Sequence, residues 1–63
     1  MNGKKLRELR KASGKTLREI SYEADVTFAT IQSIESGKTP NPGIRALYAL
    51  AKAIGCKVDD FLD

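Results

Sequence analysis

The sequence predicts an all-α fold of five short helices, a compact single domain over residues 1–63. Three observations predict it. Apolar residues recur at helical spacing, and no segment sustains the period-2 alternation of a half-buried strand. Hydroxyl residues that favour helix N-caps, and glycines that favour helix stops, fall at the ends of those periodic segments. The connections are a few residues long, so consecutive helices must pack on one another. No repeat, low-complexity stretch or linker interrupts the chain.

The elements follow in order. Helix 1 covers residues 4–12, with Leu6 and Leu9 on one face, and Ser13-Gly14 ends it. Thr16-Leu17-Arg18-Glu19 has the form of a capping box: the Thr16 hydroxyl accepts from a first-turn N–H, and Glu19 reaches back to the Thr16 N–H. Helix 2 then runs to about Ala24, with Leu17, Ile20 and Ala24 inward. Asp25-Val26 reads as a tight turn, and Thr27 is a second N-cap that opens helix 3 through about Ser36. Ile31 and Ile34 form its apolar face, and Gly37 is its stop. Lys38, Thr39, Pro40, Asn41, Pro42 and Gly43 form a loop. Helix 4 covers residues 44–54, with Ile44, Leu47, Leu50, Ala51 and Ile54 inward and Tyr48 half-buried; Gly55 closes it. A last turn or short helix starts at Val58 and uses Phe61 and Leu62 as lids on the core.

Composition narrows the function. A chain of this length has no room for a second domain and buries a modest core. No apolar run is long enough for a signal peptide or a membrane span, so the expected location is cytoplasmic, with no membrane partner. Cys56 stands alone and reads as a small, semi-buried apolar residue. The formal charge of +3 is unevenly spread: Lys4, Lys5, Arg7, Arg10, Lys11, Lys15 and Arg18 precede position 19 against Glu8 alone, while Asp59, Asp60 and Asp63 close the chain. That polarity suits one face turned toward phosphate; the plain alternative is a solvated amphipathic helix. With no His and no second Cys, the usual metal sites and Ser–His or Cys–His arrangements are missing. Gly-rich phosphate loops are missing too. Asp59-Asp60 is a neighbouring pair whose side chains point apart, better explained by the helix dipole. No catalysis, metal, cofactor or small-molecule ligand is expected.

The informative feature is the pair of helices within residues 16–37. Two short helices joined by so tight a turn cross steeply and form a helix-turn-helix unit. With Ile31 and Ile34 held by the core, Phe28, Ala29, Gln32, Ser33 and Ser36 must point outward. A protruding helix of this kind, flanked by helix N-termini and Lys side chains, suits the major groove of duplex DNA.

Residues 6–62 resemble the lambda-repressor-like, or Cro and xenobiotic-response-element, family of DNA-binding domains. The resemblance is carried by Leu6-Arg7-Glu8-Leu9-Arg10, Thr16-Leu17-Arg18-Glu19-Ile20, Val26-Thr27, and Thr30-Ile31-Gln32-Ser33-Ile34-Glu35-Ser36-Gly37-Lys38. Pro40, Leu50-Ala51-Lys52-Ala53-Ile54-Gly55 and Val58-Asp59-Asp60-Phe61-Leu62 continue it. The resemblance implies a five-helix fold and a repressor-like transcriptional regulator of prokaryotic or phage type, with helix 3 as the recognition helix. It implies base contacts at Phe28, Ala29 and Ser33 with Gln32 beside them. It implies phosphate contacts at Thr16, Leu17, Thr27, Thr30, Ser36, Lys38 and Thr39. It further implies an Arg10–Glu35 ion pair tying helix 1 to helix 3. Removing one partner would cost on the order of 3–5 kcal/mol if the pair is buried, and under about 1 kcal/mol if it is exposed. A homodimer on a two-fold operator is expected, with contacts around Cys56 to Phe61, because one small domain touches too few phosphates and bases alone.

Four positions depart from the family's pattern. Leu17 stands where Gln is frequent and cannot bond phosphate through its side chain. Lys15 replaces an apolar residue, which predicts a weaker corner of the core. Ser21 replaces a small Ala, and Asp25 replaces the turn Gly, at a cost on the order of 1 kcal/mol if φ is positive there. The reading face offers no bidentate Arg or Asn, and Gln32 is its one amide, which predicts modest specificity leaning on thymine methyls and DNA shape. The plain alternatives are that Phe28 packs on a neighbour such as Leu17, that Gln32 and Ser33 are a solvated face, and that Lys38 and Thr39 are ordinary loop residues. The rival function is a protein-interaction module, antitoxin- or adaptor-like, that uses the Phe28 face as an apolar patch.

Overall fold

The computed structural model describes residues 2–38 and 42–62. Four α-helices follow one another: α1 (Gly3–Ala12), α2 (Leu17–Ala24), α3 (Phe28–Ser36) and α4 (Ile44–Ile54). The expected fifth helix is instead a single 3-10 turn, Val58–Phe61. The phosphate role expected of Thr39 and the loop expected at Pro40 and Asn41 fall outside the described residues. Among the described residues there is no strand, and no helix is long and apolar enough to cross a membrane.

Local chemistry sets the helix ends. The Asn2 side chain accepts from the Lys5 N–H (3.1 Å), which starts α1 one residue earlier than the sequence predicts. The expected capping box is present: Thr16 Oγ1 accepts from the Glu19 N–H (3.1 Å), and Glu19 Oε1 accepts from the Thr16 N–H (2.9 Å). At the end of α3, Gly37 takes a left-handed φ of 83°. The Lys38 N–H then reaches the Ser33 carbonyl (2.9 Å) and the Gly37 N–H the Ile34 carbonyl (3.2 Å), the double closure of a Schellman stop.

The turn between α2 and α3 hangs on Asp25, the one non-glycine residue at positive φ among those described (55°). Ser21 holds it from behind: its hydroxyl donates to the Val26 carbonyl (2.6 Å), and its own carbonyl accepts from the Val26 N–H (3.2 Å). The Ser in place of a family Ala is thus a turn clamp. Gly at position 25 removes the Cβ that crowds a left-handed residue. We therefore expect Asp25→Gly to raise stability by up to about 1 kcal/mol and Asp25→Val to lower it by at least that much, read from urea unfolding midpoints.

Among the described residues, ten side chains form the core, with Leu6, Ile20, Ile31, Ile34, Leu50 and Phe61 the largest and nearly sealed from solvent. Leu9, Leu17, Val26, Ile54, Cys56 and Val58 pack around it. Burial, and then the Asp60 carboxylate, push the Cys56 thiol up, so it stays protonated at neutral pH and serves as a small apolar residue.

Three expected core positions are corrected. Ile44 is 60% exposed, because at the first helical position its side chain leans toward the helix N-terminus and away from the core. Tyr48, one turn further on, shares that outer stripe and is 66% exposed. Leu62 is 41% exposed while Phe61 is sealed. With three residues per 3-10 turn, Val58 and Phe61 share one face and Leu62 is rotated off it. The corner at Lys15 is also repaired. Its ammonium donates to the Ala53 carbonyl (2.6 Å) in the last turn of α4 and pairs with Glu23 (3.1 Å). One orphan carbonyl of α4 is thereby satisfied by a cation at the negative end of its dipole.

Candidate nucleic-acid interface

The candidate interface is the outer side of α3 with the ends of α1 and α2 that flank it. α3 packs mainly on α1 and α2. Ile31 and Ile34 are its buried residues; Phe28, Ala29, Thr30, Gln32 and Ser36 are exposed, and Ser33 is half-buried. The stripe expected to face outward does so. Beside it runs an open groove of about 510 Å³ lined by Leu17, Ala29, Gln32, Ser33, Ser36 and Lys38, with Arg7 and Arg10 of α1 on its far wall. Arg7 is exposed at that wall. Sequence reasoning did not assign it to the site, since only the crossing of α1 over α3 brings it there.

The tilt of α3 is fixed by Arg10 and Glu35. The guanidinium Nε donates to Glu35 Oε2 (2.8 Å) and Nη2 to Oε1 (3.2 Å), a bidentate pair across 25 positions. The side chains are only 11% and 8% exposed. Nη1 also donates to the Lys15 carbonyl (3.4 Å), so one side chain ties α1 both to α3 and to the entry of α2. Gly3 completes this contact. A Cβ there would run into the backbone carbonyl of Ile34, so only glycine lets the start of α1 lie this close to the end of α3.

The hydroxyl groups differ in what they have left to give. Thr27 Oγ1 accepts from the Thr30 N–H (3.2 Å), and the two hydroxyls lie 2.7 Å apart. One donates to the other, which leaves one hydroxyl proton for an outside acceptor at the N-terminus of α3. Ser36 donates back to the Ser33 carbonyl (3.2 Å). At the start of α2, the capping box uses the Thr16 N–H internally, and the Thr16 hydroxyl accepts from the Glu19 N–H while its proton faces the Glu19 carboxylate. Leu17 packs partly on the core and brings no polar side-chain atom.

The Thr16 backbone N–H and hydroxyl hold the Glu19 carboxyl below its ordinary value of 4.5, with Lys15 assisting. Because the folded value is lowered, this cap contributes fully above that ordinary value and is lost as pH falls through the lowered one. In an amide-shift titration, Thr16 and Glu19 should move together with a midpoint under 4.5. A midpoint at or above 4.5 would show the box open in solution.

A helix-turn-helix family profile matches residues 6–61. The chain belongs to the helix-turn-helix family. Among curated proteins, it is 36% identical over 59 residues to the HTH-type transcriptional regulator DdrOP3 of Deinococcus deserti. The match covers 94% of this chain and 45% of that relative, so the chain spans less than half the relative's length. No solved structure matches it significantly. Within the helix-turn-helix unit, α2 is the scaffold helix, the Asp25 turn sets the crossing, and α3 is the helix with a polar, solvent-facing side.

Proposed function

We propose that this chain is the DNA-binding unit of a repressor-like transcriptional regulator, and that α3 enters the major groove. The observation that carries the reading is the outward face of α3, walled on one side by Arg7 and Lys38 and anchored from below by Arg10–Glu35. In this reading Phe28, Ala29, Gln32 and Ser33 meet base edges. Thr16, Thr27, Thr30, Ser36, Lys38 and the Leu17 backbone N–H meet phosphates, with Arg7 added and Thr39 beyond the described residues. The chain works as a homodimer on a two-fold site. The exposed Tyr48, beside a groove of about 450 Å³ that Ala51, Cys56 and Val58 help line, supports that side of α4 as the face toward a second copy.

The test is an amide chemical-shift titration with random-sequence duplex at low and then higher salt. Shifts from Thr27 to Lys38 that fade with salt support the reading, since counterion release scales with phosphates neutralised. No shift at any salt sinks it and favours a protein partner at the Phe28 face. Lys38→Ala should weaken all duplexes alike and reduce the salt slope by about 1, whereas Ser33→Ala should change sequence preference. Anisotropy titrations over several duplexes separate the two.

A further inference from the structure

We propose that Arg18 is a specificity-determining residue, and that with Phe28 it reads a guanine and a thymine one or two base pairs apart. This rests on the DNA-binding reading and deepens it. Arg18 is the second residue of α2 and Phe28 the first of α3. The turn folds them together, with the Arg18 guanidinium carbon 5.8 Å from the centroid of the Phe28 ring. Both are exposed, Phe28 to 39%.

The stack changes what each side chain does. A guanidinium over an aromatic face is held by the ring's quadrupole and not by its own N–H groups, so all five donors remain for another partner. Its free rotamers are reduced before any ligand arrives, which lowers the cost of ordering it on binding. In turn, the ring is held at the N-terminal end of α3, the end that leads into the groove. The chemistry each head would recognise is distinct. A planar fork suits the O6 and N7 acceptors of guanine, and a Phe edge suits the C5-methyl of thymine. Their separation of 5.8 Å is less than two base-pair rises of about 3.4 Å each, so the two heads reach pairs one or two steps apart. The otherwise weak reading face thus gains, from α2, the bidentate donor that α3 lacks.

The experiment is selection of bound duplexes from a random library by the wild-type chain, Arg18→Ala and Phe28→Leu, followed by affinity measurements on the enriched duplex. Circular dichroism would check that each variant is folded. Wild type should enrich a thymine one or two base pairs from a guanine. Replacing that thymine by deoxyuridine removes one methyl and should weaken binding roughly 4-fold, with no effect in Phe28→Leu beyond its own loss. Replacing the guanine by 7-deazaguanine removes one of its two acceptors and should cost wild type roughly 2- to 12-fold and Arg18→Ala little, because no fork is left to bond N7. If Arg18→Ala keeps the wild-type preference and weakens every duplex by one common factor, Arg18 is a phosphate contact; the proposal then falls and the DNA-binding reading stands. If no duplex binds at any salt, both fall.

Discussion

Arg10→Ala should unfold much of this protein at moderate temperature. The pair it breaks is almost sealed, and removal of the guanidinium strands the Glu35 carboxylate, 8% exposed, without its bidentate partner. Breaking a buried pair by deleting one member costs about 3–5 kcal/mol. A domain of this size holds about 3–9 kcal/mol in total. Each kcal/mol shifts the midpoint about 4–8 °C, so the melting point should fall by more than about 12 °C. The cause would be the unpaired charge and not lost packing. The double variant Arg10→Met with Glu35→Leu should therefore recover to within about 1 kcal/mol of wild type or exceed it. Thermal and urea unfolding of the single and double variants form a mutant cycle. An Arg10→Ala loss under about 0.5 kcal/mol would show that the pair is solvated and does not hold α3. The recovered double variant also separates stability from positioning. Weaker duplex binding by that folded protein is the expected signature of an α3 free to tilt.

Phe61→Ala should be as damaging, and for a different reason. Phe61 is fully sealed and plugs the core from the 3-10 turn, where the Asn2 N–H donates to its carbonyl (2.8 Å) and ties the two ends of the chain together. The turn itself is braced by the Asp60 carboxylate, which accepts from the Lys57 N–H (2.9 Å). Truncating a buried Phe costs about 3–5 kcal/mol through lost transfer energy and the cavity left behind. Leu62→Ala, one residue on, should change stability by no more than about 0.5 kcal/mol, because Leu62 faces solvent. The contrast between two adjacent apolar residues is the readout. Equal losses at both, in thermal melts, would mean that the chain end packs differently from the arrangement described above.

The sequence by itself determined where α2, α3 and α4 begin and end. Thr16 with Glu19, Thr27, Gly37 and Gly55 act within about four residues, and hydrogen bonds of that reach depend on little beyond the local chain. Periodicity likewise put Ile31 and Ile34 inside and Phe28, Ala29, Gln32 and Ser36 outside, as observed, with Ser33 half-buried. The Arg10–Glu35 pair was legible only through family resemblance, since nothing local links positions 25 apart. Tertiary structure alone decided the rest. Helical spacing shows that α4 has apolar stripes but not which one meets α2, and that crossing left Ile44 and Tyr48 in solvent. Lys15 reads as a flaw until the end of α4, 38 positions away, is brought beneath its ammonium. Arg18 meets Phe28 because a left-handed Asp25 turns α2 onto α3. Caps and periods are short-range and survive in one dimension, whereas each of these contacts depends on crossing angles set by the whole core at once.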